Sequence, residues 1–177
     1  MTETKTDELV GRGNKEGADL FREWFDSLAD AAKNGRGAAY VFVMGSMAEL
    51  LHVFDFPLVL PEITSLQTAV RRVADTYLAE AEDYGYSPDI CGYVKADMAV
   101  QLRGGQHPMG QIPKPSVAVM SNACNTYIKW AEIWERMYGI PLFVLDVPAT
   151  RQAGGQFQPG SSDFARDVKY VEAQVRE

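Results

Sequence analysis

The sequence predicts an α/β protein of three layers, with a mainly parallel sheet and helices on both faces. Two observations predict this class. Short apolar segments alternate along the chain with segments of helical periodicity, and each apolar segment is apolar throughout instead of at every second position. A strand that is apolar on both sides is buried on both faces, which is typical of a parallel sheet covered by helices.

The N-terminal part is predicted to be a polar tail followed by a helix. Residues 1–15 are polar and are expected to be loose. Phe21, Trp24 and Leu28 then recur at helical spacing, and glycines close the segment. We therefore expect residues 1–36 to form a tail and a helix that precede the α/β domain.

The first half of the domain is expected to contain two strands and two helices. Residues 38–45 form an apolar, Val- and aromatic-rich run that ends in glycine, which predicts a buried strand. Ser46 then stands where the N-cap of a short helix is expected. Residues 56–61 predict a second strand bounded by prolines, and an apolar stripe predicts one long helix that reaches about residue 83.

The second half repeats the alternation. A helix is expected to follow Cys91, and the Gly- and Pro-rich run 103–115 is expected to be a loop. The remaining predicted elements are a strand at 116–122, a helix at 125–138 ended by Gly139, a strand at 140–148, a loop and a final helix. Residues 37–177 thus predict an open sheet of the Rossmann or flavodoxin type, whose ligands bind beyond the carboxyl ends of the strands.

Composition narrows the class of partner. The chain of 177 residues has a formal net charge of −7, and its Lys and Arg residues form no cluster. This argues against a nucleic-acid partner or an anionic membrane. No apolar run reaches membrane-spanning length, and the polar start does not resemble a signal peptide, so we expect a cytoplasmic protein.

Four residues are candidates for chemistry. Cys91 and Cys124, the only cysteines, each stand near the predicted start of a helix, where backbone N–H groups favour an anion such as a thiolate. Glu62 follows an apolar strand and could donate or accept a proton at the carboxyl edge of the sheet. Ordinary roles remain open for each: small buried thiols for the cysteines, a first-turn acid for Glu62 and an N-cap for Ser46.

Common catalytic motifs are absent, but three separated segments match a known family. There is no GxGxxG, no GxxxxGK[ST] and no GxSxG. FDFPLVLPEITSLQ, YSPDICGYVKAD and SNACNTYIKWAEIWERMYGIPLFVLDVP, in this order and spacing, resemble the catalytic subunits of the benzoyl-CoA reductase and 2-hydroxyacyl-CoA dehydratase family. The resemblance covers residues 40–148, and the first two segments look closer to the reductases.

The resemblance implies a [4Fe–4S] cluster in a subunit that pairs with a related second subunit. It implies electron delivery by ferredoxin and an ATP-hydrolysing activator protein, and one-electron reduction of a CoA thioester. Cys91 and Cys124 fall on two of the family's cluster ligands, Glu62 falls on an active-site acid of the dehydratases, and Ser46 lies near a position that faces the cluster. Reductases then reduce an aromatic ring, whereas dehydratases expel a hydroxyl group.

One departure from the family pattern limits this expectation. The family's third cysteine lies in a later domain that is not within these residues, so we expect the first of two α/β domains of a longer subunit and no turnover from this chain alone. The competing interpretation is a non-catalytic α/β module that binds an acyl-CoA or a partner subunit and carries ordinary core thiols.

Overall fold

The computed structural model describes residues 5–43, 47–148 and 160–176. The helices and strands of these residues are, in chain order, α1 (Lys5–Lys33), β1 (Ala38–Val41), α2 (Ala48–His52), β2 (Leu58–Val59), α3 (Pro61–Val70), α4 (Ala74–Tyr84), α5 (Gly92–Leu102), β3 (Gln106–His107), β4 (Gly110–Gln111), β5 (Pro115–Ser121), α6 (Asn125–Tyr138), β6 (Leu142–Leu145) and α7 (Ser162–Arg176).

A four-stranded parallel sheet in the order β2-β1-β5-β6 forms the centre of the molecule. Helical connections between parallel strands of one sheet are right-handed, so those from β2 to β5 and from β5 to β6 share one face of the sheet. The connection from β1 to β2 runs in the opposite direction and places α2 on the other face. The predicted three-layer α/β class with an N-terminal helix is confirmed.

The N-terminal helix begins earlier than predicted. Residues 1–15 were expected to be loose, but α1 starts at Lys5. A polar segment can remain helical when charged side chains one turn apart attract each other, and Arg12 lies 3.6 Å from Glu16. Further along α1, Phe25 and Leu28 are buried in the core, as the helical spacing predicted.

The second strand and the helix after it also differ from the prediction. β2 has only two residues, and Pro61 is the first residue of α3, a position where its missing N–H costs nothing. The single long helix is wrong as well, because α3 ends at Val70 and α4 begins at Ala74. Between them Arg72 takes a left-handed conformation with φ of 59°.

The predicted apolar stripe is not the buried face of α3. Val70 is 60% exposed, whereas Thr64, Ser65 and Thr68 are buried. Their hydroxyl groups are satisfied by backbone carbonyls: Thr64 donates to Pro61, and Thr68 donates to Ser65. Small hydroxyl residues can therefore face the interior and let neighbouring helices approach closely.

The second half of the domain follows the prediction closely. The helix α6 has the predicted bounds, and Gly139 ends it in a left-handed conformation with φ of 64°. β5, β6 and α7 lie within or near their predicted ranges. The predicted loop 103–115 differs in one respect, since it contains the short antiparallel hairpin of β3 and β4.

The main core fills the space between the sheet and the helices α5 and α6. Tyr40 and Phe42, which point to one face from the end of β1, pack against Trp134 at ring distances of 4.9 and 5.5 Å. Eight of the eleven residues of α5 are buried, so this helix lies inside the molecule and not on its surface.

Candidate functional site

The candidate site lies at the carboxyl edge of the sheet, where β1 and β5 end side by side. The chain leaves β1 toward its neighbour β2 on one side, and leaves β5 toward its neighbour β6 on the other. A crevice opens where connections diverge in this way, and open parallel sheets bind their ligands there. Phe42 and Val43 follow β1 at this edge, and the turn after β5 ends on Cys124.

Glu62 reaches this crevice from the first turn of α3. Its Oε2 accepts a hydrogen bond of 2.6 Å from the backbone N–H of Val43, and its Oε1 accepts one from the hydroxyl of Tyr127. Two donors therefore hold the carboxylate, one from the end of β1 and one from the first turn of α6. Glu62 is a first-turn acid, as the ordinary interpretation expected, but its hydrogen bonds tie three segments of the crevice together.

Tyr127 was not identified from the sequence. Its ring is 4% exposed and stacks on Phe42, with ring centroids 3.9 Å apart and planes 8° from parallel. This stacking fixes the ring, so the hydroxyl is held in position toward Glu62. The signal in the sequence was its place three residues after Cys124, which puts it in the first turn of the same helix.

Both cysteines are free thiols at helix N-termini. Cys91 is the N-cap residue of α5 and Cys124 is the N-cap residue of α6, and neither side chain makes a capping hydrogen bond. Cys124 is partly buried against the core, but Cys91 is exposed. Cys91 is therefore not the small buried hydrophobe that the ordinary interpretation expected.

The two capped helices run side by side in the same direction. On α5, Asp97 bonds to Trp130 and Trp134 of α6, and one turn further along Gln101 bonds to Tyr138 of α6. Since the contacts advance along both helices together, the two N-termini lie at the same end of the pair. That end carries both thiols.

Helix α3 connects the two N-termini directly. Ser65 donates a hydrogen bond of 2.8 Å to the carbonyl of Tyr93, two residues after Cys91. Glu62, three residues before Ser65, binds Tyr127 in the first turn after Cys124. Residues three apart are neighbours on one helix face, so a single turn of α3 contacts the first turns of both α5 and α6.

Asp97 is the second feature that the sequence did not reveal. The carboxylate is 1% exposed; Trp130 and Trp134 donate to Oδ2 at 2.7 and 2.8 Å, and Gln101 donates to Oδ1 at 3.0 Å. Burial raises the pKa of Asp97 to about 6, although these hydrogen bonds act in the opposite direction. A lone acid in the apolar segment GYVKADMAVQL was the available signal.

Ser46, the fourth predicted site residue, lies outside the described residues. The helix after it, α2, begins at Ala48, and its N-cap position is held by Met47. The predicted N-cap at Ser46 is therefore wrong by one residue. Its predicted place near a cluster stays a prediction.

A cluster site can be tested against the donors that are present. Thiolates are the ligands that iron–sulfur clusters use, and Cys91 and Cys124 supply two of them at one end of a helix pair. Within residues 5–43, 47–148 and 160–176, no group of three or more His, Cys, Asp or Glu side chains is placed to hold a metal ion. The residues therefore fit part of a cluster site and not a complete one.

The fold and the site define an open-sheet α/β protein with two free thiols at helix N-termini. None of the described helices has the length and apolar character needed to cross a membrane. The family model of the 2-hydroxyglutaryl-CoA dehydratase D-component matches residues 13–177, and the chain belongs to this family. The resemblance seen in the sequence is confirmed.

Curated relatives fall into two groups by name. A benzoyl-CoA reductase subunit of Thauera aromatica is 32% identical over 153 residues, which cover 85% of this chain and 34% of that protein. The (R)-phenyllactyl-CoA dehydratase alpha subunit of Clostridium sporogenes is 30% identical, over 71% of this chain and 29% of that protein. The (R)-2-hydroxyisocaproyl-CoA dehydratase alpha subunit of Clostridioides difficile is 28% identical, over 72% and 31%. The chain thus spans about a third of the length of these relatives.

Proposed function

We propose that this chain is part of a catalytic subunit of an iron–sulfur enzyme for low-potential one-electron reduction of a CoA thioester. The leading reaction is ring reduction of the benzoyl-CoA type. The observation that supports the proposal is that the two free thiols cap helices whose first turns both bond to one turn of α3, the turn that carries Glu62. Family membership and the identity to a benzoyl-CoA reductase subunit support the substrate class.

Each residue has a defined role in this proposal. Cys91 and Cys124 would hold a [4Fe–4S] cluster, which when bound supplies single electrons at low potential. Cys91 and Cys124 cap the N-termini of α5 and α6, whose N–H groups favour the negative charge of thiolates. Glu62 holds or moves a proton in the crevice, with Val43 and Tyr127 fixing its two oxygens.

The proposal includes partners. The relatives are named as subunits, which supports a related second subunit as the partner of this chain. An ATP-hydrolysing activator protein and ferredoxin would deliver the electrons, in the cytoplasm. We further propose that the α/β unit of residues 37–177 is the first of two such domains, the second of which supplies the remaining thiolate.

The direct test is iron and sulfide analysis of the native protein after anaerobic purification, together with its absorption at about 400 nm. We expect iron and sulfide in the wild type and their loss in the Cys91→Ser and Cys124→Ser variants. An exchange at Ser27, whose hydroxyl donates to a carbonyl of its own helix, is a matched control: Ser27→Ala should keep its iron. An iron-free wild type would favour the non-catalytic module.

Dehydration is the second candidate reaction, because two of the relatives are named as dehydratases. Loss of water changes no oxidation state, so a dehydratase needs an electron only to start, whereas ring reduction consumes two electrons for each product molecule. Counting the reductant consumed per CoA ester converted therefore separates the two. Two electrons per turnover of benzoyl-CoA supports ring reduction, and many turnovers of a 2-hydroxyacyl-CoA per electron supports dehydration.

A further inference from the structure

Asp97 is a buried charge with only neutral partners. Its hydrogen bonds come from two indole N–H groups and one amide, and no described Lys, Arg or His forms an ion pair with it. The nearest cation along α5, Lys95, is bound instead to Glu82 at 2.5 Å and to the carbonyl of Pro88 at 2.9 Å. Burying an unpaired carboxylate costs free energy, so a site that retains one invites a functional explanation.

The carboxylate of Asp97 lies between the two helices that Cys91 and Cys124 cap. Asp97 is six residues after Cys91 on α5, and its partners Trp130 and Trp134 are six and ten residues after Cys124 on α6. At 1.5 Å per residue, Asp97 lies about 9 Å along α5 from Cys91, and its two partners lie about 9 and 15 Å along α6 from Cys124. The carboxylate therefore stands between the helices, roughly two to three turns from the ends that carry the thiols.

We propose that Asp97 is a positioning residue that also supplies a fixed negative charge beneath the thiols and so lowers the reduction potential of the redox centre they hold. The inference rests on the proposed function and deepens it. Adding an electron near a fixed negative charge is unfavourable, and the effect is large where the surroundings are apolar and exclude water. The two indole N–H groups hold the carboxylate and keep α5 and α6 in register.

The test is Asp97→Asn in the native protein, with the midpoint potential measured at pH 8 by a redox titration followed by electron paramagnetic resonance. The amide has the same shape, and its NH2 group can donate to Gln101 once the Gln101 amide turns over to present its oxygen, with the rotatable hydroxyl of Tyr138 then accepting from the Gln101 nitrogen. We expect the equilibrium constant for one-electron reduction to increase about tenfold in the variant. This change corresponds to a midpoint potential that is higher by about 59 mV. The exposed Asp83→Asn variant is the matched control and should leave the potential unchanged.

A second measurement needs no variant. The titratable groups that face Asp97 are Tyr40 from β1, Tyr138 from α6 and Tyr86 before α5, and burial raises the pKa of each, so they stay neutral between pH 5 and pH 8. The wild-type potential should therefore rise as the pH falls through the titration of Asp97. Wild-type protein with a cluster but a potential that neither pH nor Asp97→Asn alters would overturn this inference. Wild-type protein without a cluster would overturn the proposed function instead.

Discussion

The hydroxyl of Tyr127 donates a hydrogen bond to the carboxylate of Glu62, and this contact joins the first turn of α6 to the first turn of α3. It places the acid beside the helix that Cys124 caps. The position of Glu62 in the crevice thus depends on α6 as well as on its own helix, α3.

Glu62→Gln is expected to lower turnover of the native enzyme at least about 100-fold while changing KM only a few-fold, since a positioned acid or base contributes about that much to a rate. The amide can accept from Val43 with its oxygen and donate to the Tyr127 hydroxyl with its nitrogen, so the fold should persist. Steady-state kinetics and a thermal unfolding curve measure both effects. Unchanged turnover would leave Glu62 with a structural role alone.

Tyr127→Phe removes the hydrogen bond to Glu62 and keeps the ring that stacks on Phe42. We expect a loss of about 1.5–3 kcal/mol in the free energy of unfolding, because a hydrogen bond to a charged group is lost. Urea unfolding of the 177-residue chain measures this loss. Tyr93→Phe is the control. The hydrogen bond from Ser65 goes to the backbone carbonyl of Tyr93, which the substitution keeps, so this variant should lose less free energy of unfolding.

Asp97 makes the stability of the chain depend on pH. Burial raises the pKa of Asp97 from 3.8 to about 6, so between these values the folded state binds more protons than the unfolded state. The contribution of Asp97 to the free energy of unfolding is therefore fully present at low pH. It is lost as the pH rises from 3.8 through about 6, and the total loss is about 3 kcal/mol. Urea unfolding measures the free energy of unfolding of Asp97→Asn and of the wild type. The value for the variant should rise relative to that of the wild type from about pH 4 to about pH 7. Parallel profiles would contradict the prediction.

His107 has the opposite dependence. Its Nδ1 accepts from the N–H of Met109 at 3.1 Å, so Nε2 carries the proton and donates to the carbonyl of Thr64 at 2.9 Å. Burial lowers the pKa of His107, with a smaller contribution from the charge of Arg71. The stability that the neutral ring provides is present above the unfolded pKa of about 6.5 and is lost as the pH falls.

The variant His107→Gln should reduce this loss on acidification. The same variant of His107 also loses the ring that stacks on Phe25 with planes 3° from parallel, so its stability at pH 8 should fall by about 1–2 kcal/mol. Unfolding curves at pH 5 and pH 8 measure both effects. An acid loss of wild-type size in His107→Gln would show that other groups cause it.

Two adjacent glycines provide a matched test of the turn after α5. Gly104 and Gly105 have φ of 66° and 92°, but a Cβ on Gly105 would stand 2.2 Å from the carbonyl oxygen of Ile112, whereas one on Gly104 would meet nothing within 4 Å. Gly104→Ala should cost about 1–2 kcal/mol for its left-handed backbone alone. Gly105→Ala should cost roughly 3 kcal/mol or more. Equal losses in urea unfolding would mean that the hairpin moves aside freely.

Local signals in the sequence were sufficient for the elements that end in strong caps or turns. Gly139 and the apolar spacing indicated the bounds of α6, and the continuous apolar runs indicated the strands β1, β5 and β6. The break between α3 and α4 was missed because no Gly or Pro marks it. There the exposed Arg72 takes the left-handed conformation that Gly or Asn usually adopts, and backbone hydrogen bonds from Arg72 to Ala69 and from Val73 to Thr68 close the turn.

The candidate site was predictable only in part. The placement of Cys91, Cys124 and Glu62 at starts of helices was expected from the sequence and is confirmed by α5, α6 and α3. The roles of these residues stay predictions. Asp97 and Tyr127 were missed because their significance comes from partners 33 and 65 residues away along the chain, and such contacts exist only after folding.

The burial of α5 has a consequence for the motions of the molecule. Eight residues of α5 are shielded from water, whereas none of the described residues of α7 is buried. Amide hydrogens of α7 should therefore exchange with solvent through local opening, while those of α5 should exchange only when the whole domain unfolds. The backbone behind Cys91 would then keep its place while the periphery of the sheet opens and closes.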